Sequence, residues 1–303
     1  MEFAEQREGI RSSSKGALAD YFALTKFRIT ANVLLTAAGG AWLAPGSLKG
    51  STWFFLLLGS ALIVSGANAL NMYIERDIDG RMARTKNRPL PAKRLEPRAV
   101  LAFGVILSAL AVPALAIGVN ATTALLAVLA NVSYVLAYTP MKQRSHVALL
   151  VGAVPGAIPP LMGWTAQTGR IDPGGLALLG IMFFWQIPHF LAISLFRQED
   201  YKNAGLIVMP NVLGVPATKR AMMNYTAALL VCSLFVVPLG VVGPAYLAGA
   251  ALLGIALFAY STLGIIRGDV TKEATNKWAR RFFFGTIFYV CALFGLFAVG
   301  HTS

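Results

Sequence analysis

Nine apolar stretches, near residues 29–45, 52–75, 98–117, 121–138, 147–165, 174–195, 221–240, 244–266 and 282–300, take up most of this chain. Several reach the roughly 20 residues that a helix needs to cross a hydrocarbon core. In such a medium each backbone N–H and C=O must be paired within the protein, which a helix achieves unaided. The pattern predicts an all-α polytopic membrane protein with nine transmembrane helices. Only 13% of the residues are charged against 56% hydrophobic, so a disordered chain and a soluble enzyme are both poor fits.

The chain carries 26 Lys and Arg against 13 Asp and Glu, a formal charge of +13 that in another setting would suggest a nucleic-acid binder. Its distribution argues otherwise. With the N-terminus in the cytoplasm, 24 of the basic residues fall in the tail, at the first helix start and in the loops after stretches two, four, six and eight, leaving Lys49 and Arg170 outside. The positive-inside rule then gives a cytoplasmic N-terminus and an outside C-terminus, a parity that nine spans satisfy. The expected medium is the lipid bilayer, with no nucleic acid as partner, and a bacterial cytoplasmic membrane is the simplest location. Residues 1–20 contain Glu2, Glu5 and Glu8 and no apolar core, so they read as a cytoplasmic tail rather than a signal or transit peptide. Residues 21–303 are left as a single intramembrane domain. Cys232 and Cys291 lie in apolar runs and match no zinc or redox spacing.

Acids are scarce, yet three of the 13, Glu75, Asp77 and Asp79, fall within five residues at the end of the second stretch. On a helix Asn71, Glu75 and Asp79 recur at i, i+4 and i+8 and share one slowly drifting face, with Asn68 one turn earlier on nearly the same face. Oxygen ligands on one face suit Mg²⁺, which takes one or two carboxylates, keeps several waters and shares its other positions with substrate phosphates. Asp77 points the opposite way, and pairing with Arg81 or capping of a nearby loop is expected of it. Carboxylates at a membrane edge are costly, which makes function their default reading. After Gly80, which can end the helix, come Arg81, Arg84, Lys86, Arg88, Lys93 and Arg94. Juxtamembrane cations usually do no more than anchor topology. Beside a carboxylate stripe they suit a polyphosphate, and Arg84 and Arg88 stand out by position.

Two further polar patches lie on the same membrane side. The run YTPMKQRS places Tyr138, Lys142 and Arg144 there, with Lys142 suited to compensate a leaving diphosphate. In WQIPHFLAISLFRQEDYKNAG, Gln186 and His189 stand one turn apart around Pro188 and beside Trp185. His189 and Asp200 are eleven residues apart and return to one face if the helix continues to Asp200. A lone helical histidine is usually a hydrogen-bonded packing residue, but an apolar span with a kink-forming proline raises the case for function.

At these residues the chain resembles the UbiA-type intramembrane prenyltransferases. Their first motif, N-x-x-x-D-x-x-x-D followed by G-x-x-x-R-T-x-x-R-P-L, stands here as Asn71, Glu75 and Asp79, then Gly80, Arg84, Thr85, Arg88, Pro89 and Leu90. Their Y-x-x-x-K loop is Tyr138 to Lys142. The closer likeness is to the haem-farnesylating branch, through E-R-D-x-D at Glu75 to Asp79, W-Q-x-P-H-F at Trp185 to Phe190, and D-Y-x-x-A-G at Asp200 to Gly205, ending at Met209-Pro210. Helix order and length fit over nearly the whole chain. Two departures stand out. The usual second motif has paired aspartates where this chain has His189 and then Glu199-Asp200, and the segment Leu24 to Arg28 has Phe27 where Pro is more common.

The resemblance implies transfer of a farnesyl group from farnesyl diphosphate to a vinyl group of haem B, with addition of water, to make haem O for terminal oxidases. It implies a catalytic set of Asn71, Glu75, Asp79, Lys142 and His189, with Mg²⁺ on Asn71, Glu75, Asp79 and Asp200. Arg84, Arg88, Lys142, Arg144 and Tyr138 would meet the diphosphate, and His189, Trp185, Gln186 and Asp200 the acceptor. Aromatic faces such as Trp185, Phe190 or Tyr138 would steady an allylic cation. A neutral imidazole at His189 costs less to bury than a carboxylate and can ligate iron or hydrogen-bond a propionate or water. A downstream haem-modifying membrane enzyme is the implied partner.

Three rival readings are separable. Asp79 to Arg84 spells D-G-x-x-A-R, the core of the CDP-alcohol phosphotransferase signature, but Arg76, Lys93, Pro97 and Leu101 stand where its remaining Asp and Gly residues belong. An ion-coupled transporter would place acids near the bilayer midplane and show related halves, whereas here the acids crowd the cytoplasmic edge. A prenyltransferase acting on an aromatic quinone precursor is distinguished by the Trp185 to Phe190 signature.

Overall fold

A computed structural model of the chain describes residues 16–268 and 271–300, with side chains to residue 297, and contains helices and no strand among them. The elements are α1 (16–24), α2 (Phe27–Leu43), α3 (Gly50–Asp79), α4 (Pro97–Gly118), α5 (Ala121–Val132), a π-helical turn Ser133–Tyr138, α6 (Thr139–Met141), α7 (Ala148–Thr168), α8 (Pro173–Phe196), α9 (Gln198–Asn203), α10 (Met209–Val212), α11 (Gly214–Phe235), α12 (Pro244–Ile266) and α13 (Lys272–Gly300). Each of the nine apolar stretches falls on a helix. Seven helices among the described residues are long and apolar enough to cross a membrane, with α5 to α6 counted as one span; α2, with 17 residues, and α11 are not among them. α11 begins with Lys219 and Arg220 in its second turn, and α13 starts ten residues before the apolar stretch, because Lys272 to Arg281 is charged helix. Of the tail expected over residues 1–20, residues 1–15 lie outside the described residues and 16–20 open α1.

Local chemistry explains the boundaries. Asn120 caps α5 by accepting from Thr123 N at 2.8 Å, and Asp172 caps α8 by accepting from Gly175 N at 3.2 Å, with Pro173 at the first helical position. Pro140 lacks the N–H that would continue the α ladder, and the preceding turn widens to π geometry, as often happens where a helix must re-aim side chains at a functional site. α3, at 30 residues, is about 45 Å long, well beyond a roughly 30 Å hydrocarbon core. Its final turns, from Asn71 to Asp79, carry the acidic stripe.

The bundle is continuous. α3 packs on α4, α4 on α5, α5 on α7, α7 on α2 and α8, and α8 on α11 and α13, with α12 between α11 and α13. At the α2–α7 crossing the backbones nearly touch: a Cβ on Gly163 would collide with Ala37 O, and one on Gly40 with Pro160 O. Only glycine fits there, and the seam fixes α2, whose N-terminal end carries Lys26, relative to the rest of the bundle.

Candidate active site

The face of α3 expected to carry ligands is buried, with Asn71 and Asp79 at 1% exposure and Glu75 at 8%. Each of the three is met by a cation from a different element. Lys142 Nζ, just after α6, donates to Glu75 Oε1 at 2.8 Å, and Arg88 from the 80–96 loop donates to Asp79 Oδ2 at 2.6 Å. Lys26 Nζ, in the turn before α2, donates to Asn71 Oδ1 at 2.9 Å. Asn71 Nδ2 in turn donates to Thr139 Oγ1 at 3.2 Å, and Thr139 Oγ1 donates to Tyr134 O at 2.8 Å across the π turn.

Secondary contacts hold this constellation. Lys26 sits in the left-handed region with φ 47°, costly for a residue with a Cβ, and Asn68 Nδ2 and Thr30 Oγ1 both donate to Thr25 O beside it, at 3.2 and 2.8 Å. Thr85 Oγ1 donates to Asp79 O at 2.8 Å, folding the basic loop back over the end of α3, and Arg94 ties that loop to Asp20 of α1 at 3.0 Å. Lys142 Nζ also lies over the Tyr138 ring at 4.4 Å, and Lys142 O accepts from Ile207 N at 3.0 Å, joining the segment after α9 to the site.

Burial works against charge at Lys142, but Tyr138, Glu75 and Tyr134 outweigh it and hold the ammonium above the usual lysine range. At Lys26 burial, reinforced by Arg88 and Lys142, pushes the pKa down to about 7. Cations crowded together beside only two carboxylates form a site prepared for further negative charge.

Among the described residues no three His, Cys, Asp or Glu side chains cluster as a ready-made metal cage. The donor set nevertheless fits Mg²⁺. Asp79 Oδ1 is buried with no hydrogen-bond partner, an acceptor left for a cation to fill, and Mg²⁺ needs only one or two carboxylates when phosphate and water complete its shell.

Other expected residues are placed differently. Asp77 is exposed and 4.0 Å from Arg76, so it neither pairs with Arg81 nor caps a loop. α8 stops at Phe196, where Arg197 leaves helical geometry at φ −113°, ψ 18°, and α9 restarts the chain, so the condition for His189 and Asp200 to share a helical face is not met. Asp200 pairs with Arg197 at 3.3 Å and lines a small cleft with Met82, Arg84 and Tyr201, beside the α3 end but outside its ion pairs. Arg84 and Arg144 are exposed and make no ion pair among the described residues. His189 and Trp185 face α13, stacked on each other at 4.8 Å, while Gln186 faces α7 and donates to Met182 O at 2.9 Å and Ala153 O at 3.4 Å. Among the described residues no hydrogen bond or ion pair links these three to the α3 stripe.

Sequence reasoning missed Lys26, Thr139 and Tyr201 as site residues. Tyr201, from α9, lies close enough to feel the charges of Arg84, Lys142 and Arg197, though burial dominates and pushes its hydroxyl pKa up. Each lay within a stretch already singled out, Lys26 in Leu24 to Arg28, Thr139 in YTPMKQRS and Tyr201 in D-Y-x-x-A-G, but nothing in those stretches marked the individual side chain.

The model of the UbiA prenyltransferase family matches residues 33–288. A protein of Anaeromyxobacter dehalogenans (strain 2CP-C) named protoheme IX farnesyltransferase is 51% identical over 277 residues, covering 91% of this chain and 92% of the relative. One of the same name from Sorangium cellulosum (strain So ce56) is 48% identical, covering 88% and 99%. Among solved structures, the fold is similar to that of a digeranylgeranylglyceryl phosphate synthase, with TM-score 0.79, 16% identity and coverage of 93% and 98%. It is also similar to a UbiA homologue from Archaeoglobus fulgidus bound to GPP and Mg²⁺, with TM-score 0.62, 16% identity and coverage of 92% and 99%.

Proposed function

Because this chain belongs to the UbiA prenyltransferase family, we propose that it transfers the farnesyl group of farnesyl diphosphate to a vinyl group of haem B, with addition of water, to make haem O. The observation that carries this reading is the high identity, over nearly full length, to relatives named protoheme IX farnesyltransferase. The site supports it. Farnesyl diphosphate is an amphiphile with an anionic head, and the buried stripe of α3 with its surrounding cations lies at one end of the bundle.

Glu75 and Asp79, with Asn71 beside them, would hold Mg²⁺, which supplies Lewis-acid stabilisation of the departing diphosphate. Lys142 and Arg88, which stand against those carboxylates, would neutralise charge on the pyrophosphate as the allylic C–O bond breaks. Arg84 and Arg144, exposed on the same side, extend that field, and Tyr138 offers its ring face beside Lys142 to the allylic cation. On α8, Trp185, Gln186 and His189 orient the acceptor, with Asp200 at the cleft edge. The surrounding apolar bundle excludes water until the vinyl carbon has attacked.

Residues 21–303 form one intramembrane domain after a cytoplasmic tail at 1–20, with nine spans, the N-terminus inside and the C-terminus outside a bacterial cytoplasmic membrane. Haem O would pass to a downstream haem-modifying membrane enzyme. The test is mass spectrometry of products after incubation of the purified protein with Mg²⁺, farnesyl diphosphate and haem B. Haem O should form, stop on chelation and resume when Mg²⁺ is restored. A protein that prenylates 4-hydroxybenzoate and ignores haem would overturn the acceptor assignment.

A further inference from the structure

Two side chains of α8 grip one residue of α13. Trp185 Nε1 donates to Thr286 O at 2.7 Å, and His189 Nδ1 lies 2.8 Å from Thr286 Oγ1. That hydroxyl donates to Phe283 O at 2.6 Å. A hydroxyl has a single proton to give. With it committed to Phe283, Thr286 Oγ1 can only accept from His189, so Nδ1 carries the imidazole proton and Nε2 of the neutral ring is a bare lone pair. Nε2 makes no hydrogen bond among the described residues. Nor is it sealed in, since the buried unpartnered polar atoms among those residues are Ser60 Oγ, Asp79 Oδ1, Trp164 Nε1 and Gln167 Oε1.

We infer that Thr286 is a positioning residue that fixes His189 in this tautomer and offers Nε2 as an axial ligand to the iron of a metalloporphyrin acceptor. The inference rests on the haem-farnesylating function proposed above. An unprotonated nitrogen cannot donate to a propionate, which sets that role aside. The ring is sleeved by Trp185 at 4.8 Å, Phe283 at 4.5 Å and Phe190 at 5.4 Å, surroundings that suit a flat apolar macrocycle better than a water awaiting deprotonation. Histidines that bind metals characteristically donate their other ring N–H to a fixed acceptor, which sets orientation and raises basicity. Thr286, at 0% exposure, is such an acceptor and has no water to face.

The experiment titrates the purified protein with haem B in the absence of farnesyl diphosphate and reads iron ligation by absorbance and electron paramagnetic resonance. Wild type should show an imidazole-ligated iron that His189→Ala loses. Thr286→Val should weaken haem binding on the order of 10-fold to 100-fold. It should raise the KM for haem and leave the KM for farnesyl diphosphate, and hence the folded donor site, unchanged. Thr286→Ser, which keeps the hydroxyl, should restore the wild-type spectrum and KM. Ligation in Thr286→Val as strong as in wild type overturns the inference, as does wild-type iron without histidine ligation while haem O is still made; both leave the proposed function standing. A wild-type protein that farnesylates no haem overturns that function and the inference with it.

Discussion

Asp79 is nearly inaccessible and is held to Arg88 at 2.6 Å, so its replacement has two consequences. Loss of the carboxylate removes the proposed metal ligand and leaves a guanidinium uncompensated in a low-dielectric setting. Asp79→Asn and Glu75→Gln should each lower turnover about 100-fold or more, whereas Asp77→Asn, whose side chain is 81% exposed, should stay within about twofold. Initial rates at saturating substrates, read beside thermal midpoints, separate lost chemistry from lost stability; equal losses at all three positions would contradict the one-face arrangement. Lys26 offers a finer test. Lys26→Gln keeps a donor for Asn71 but removes charge, and should raise the KM for farnesyl diphosphate roughly tenfold, the value of one charge-assisted hydrogen bond. Lys26→Met should in addition lower kcat, because Asn71 loses the group that orients it, and steady-state kinetics of the two variants would show the split. The stripe itself was legible because acids are rare here and the i, i+4, i+8 spacing is strict. Its partners were not. Lys26 and Lys142 lie 45 and 67 residues from the side chains they meet, and the packing of α2 and of the α5 to α6 segment on α3 brings them there.

Helix existence was legible for the same reason at a larger size, since apolar runs of this length have few alternatives. Helix ends were less so. α8 stops at Phe196 without a glycine or proline to announce it, and α13 begins in a charged segment that carries no apolar signal. The π turn at Ser133–Tyr138 is foreshadowed only by Pro140. The α2–α7 seam is the element-scale feature most open to experiment. Gly163→Ala places a methyl group against Ala37 O, and the overpacking should cost about 1–3 kcal/mol. Gly295→Ala, on α13, meets nothing within 4 Å and should be neutral or mildly stabilising. Comparing the thermal midpoints of the two variants in detergent checks this; an unshifted Gly163→Ala would mean that the seam yields.

At the scale of the molecule, the 24-to-2 division of basic residues makes orientation testable. In a background lacking Cys232 and Cys291, single cysteines at Lys86 and Lys272 should resist an impermeant thiol reagent in intact cells, and one at Lys49 should react. Labelling at Lys86 from outside would invert the topology. The family fold itself could be read from motif order along the chain, but the facing of His189 towards Thr286 rather than towards the acidic stripe could not, because it depends on α13 lying against α8.

The length of α3 has one more consequence. A helix of about 45 Å is longer than a hydrocarbon layer of roughly 30 Å, and under the proposed topology and reaction its acidic end stands at the cytoplasmic boundary, so the two products part into different phases. Pyrophosphate is set free at the water boundary and diluted there, while the farnesylated macrocycle, now more lipophilic than before, stays in the bilayer. Reversal would require a solute from each compartment to meet again at one site.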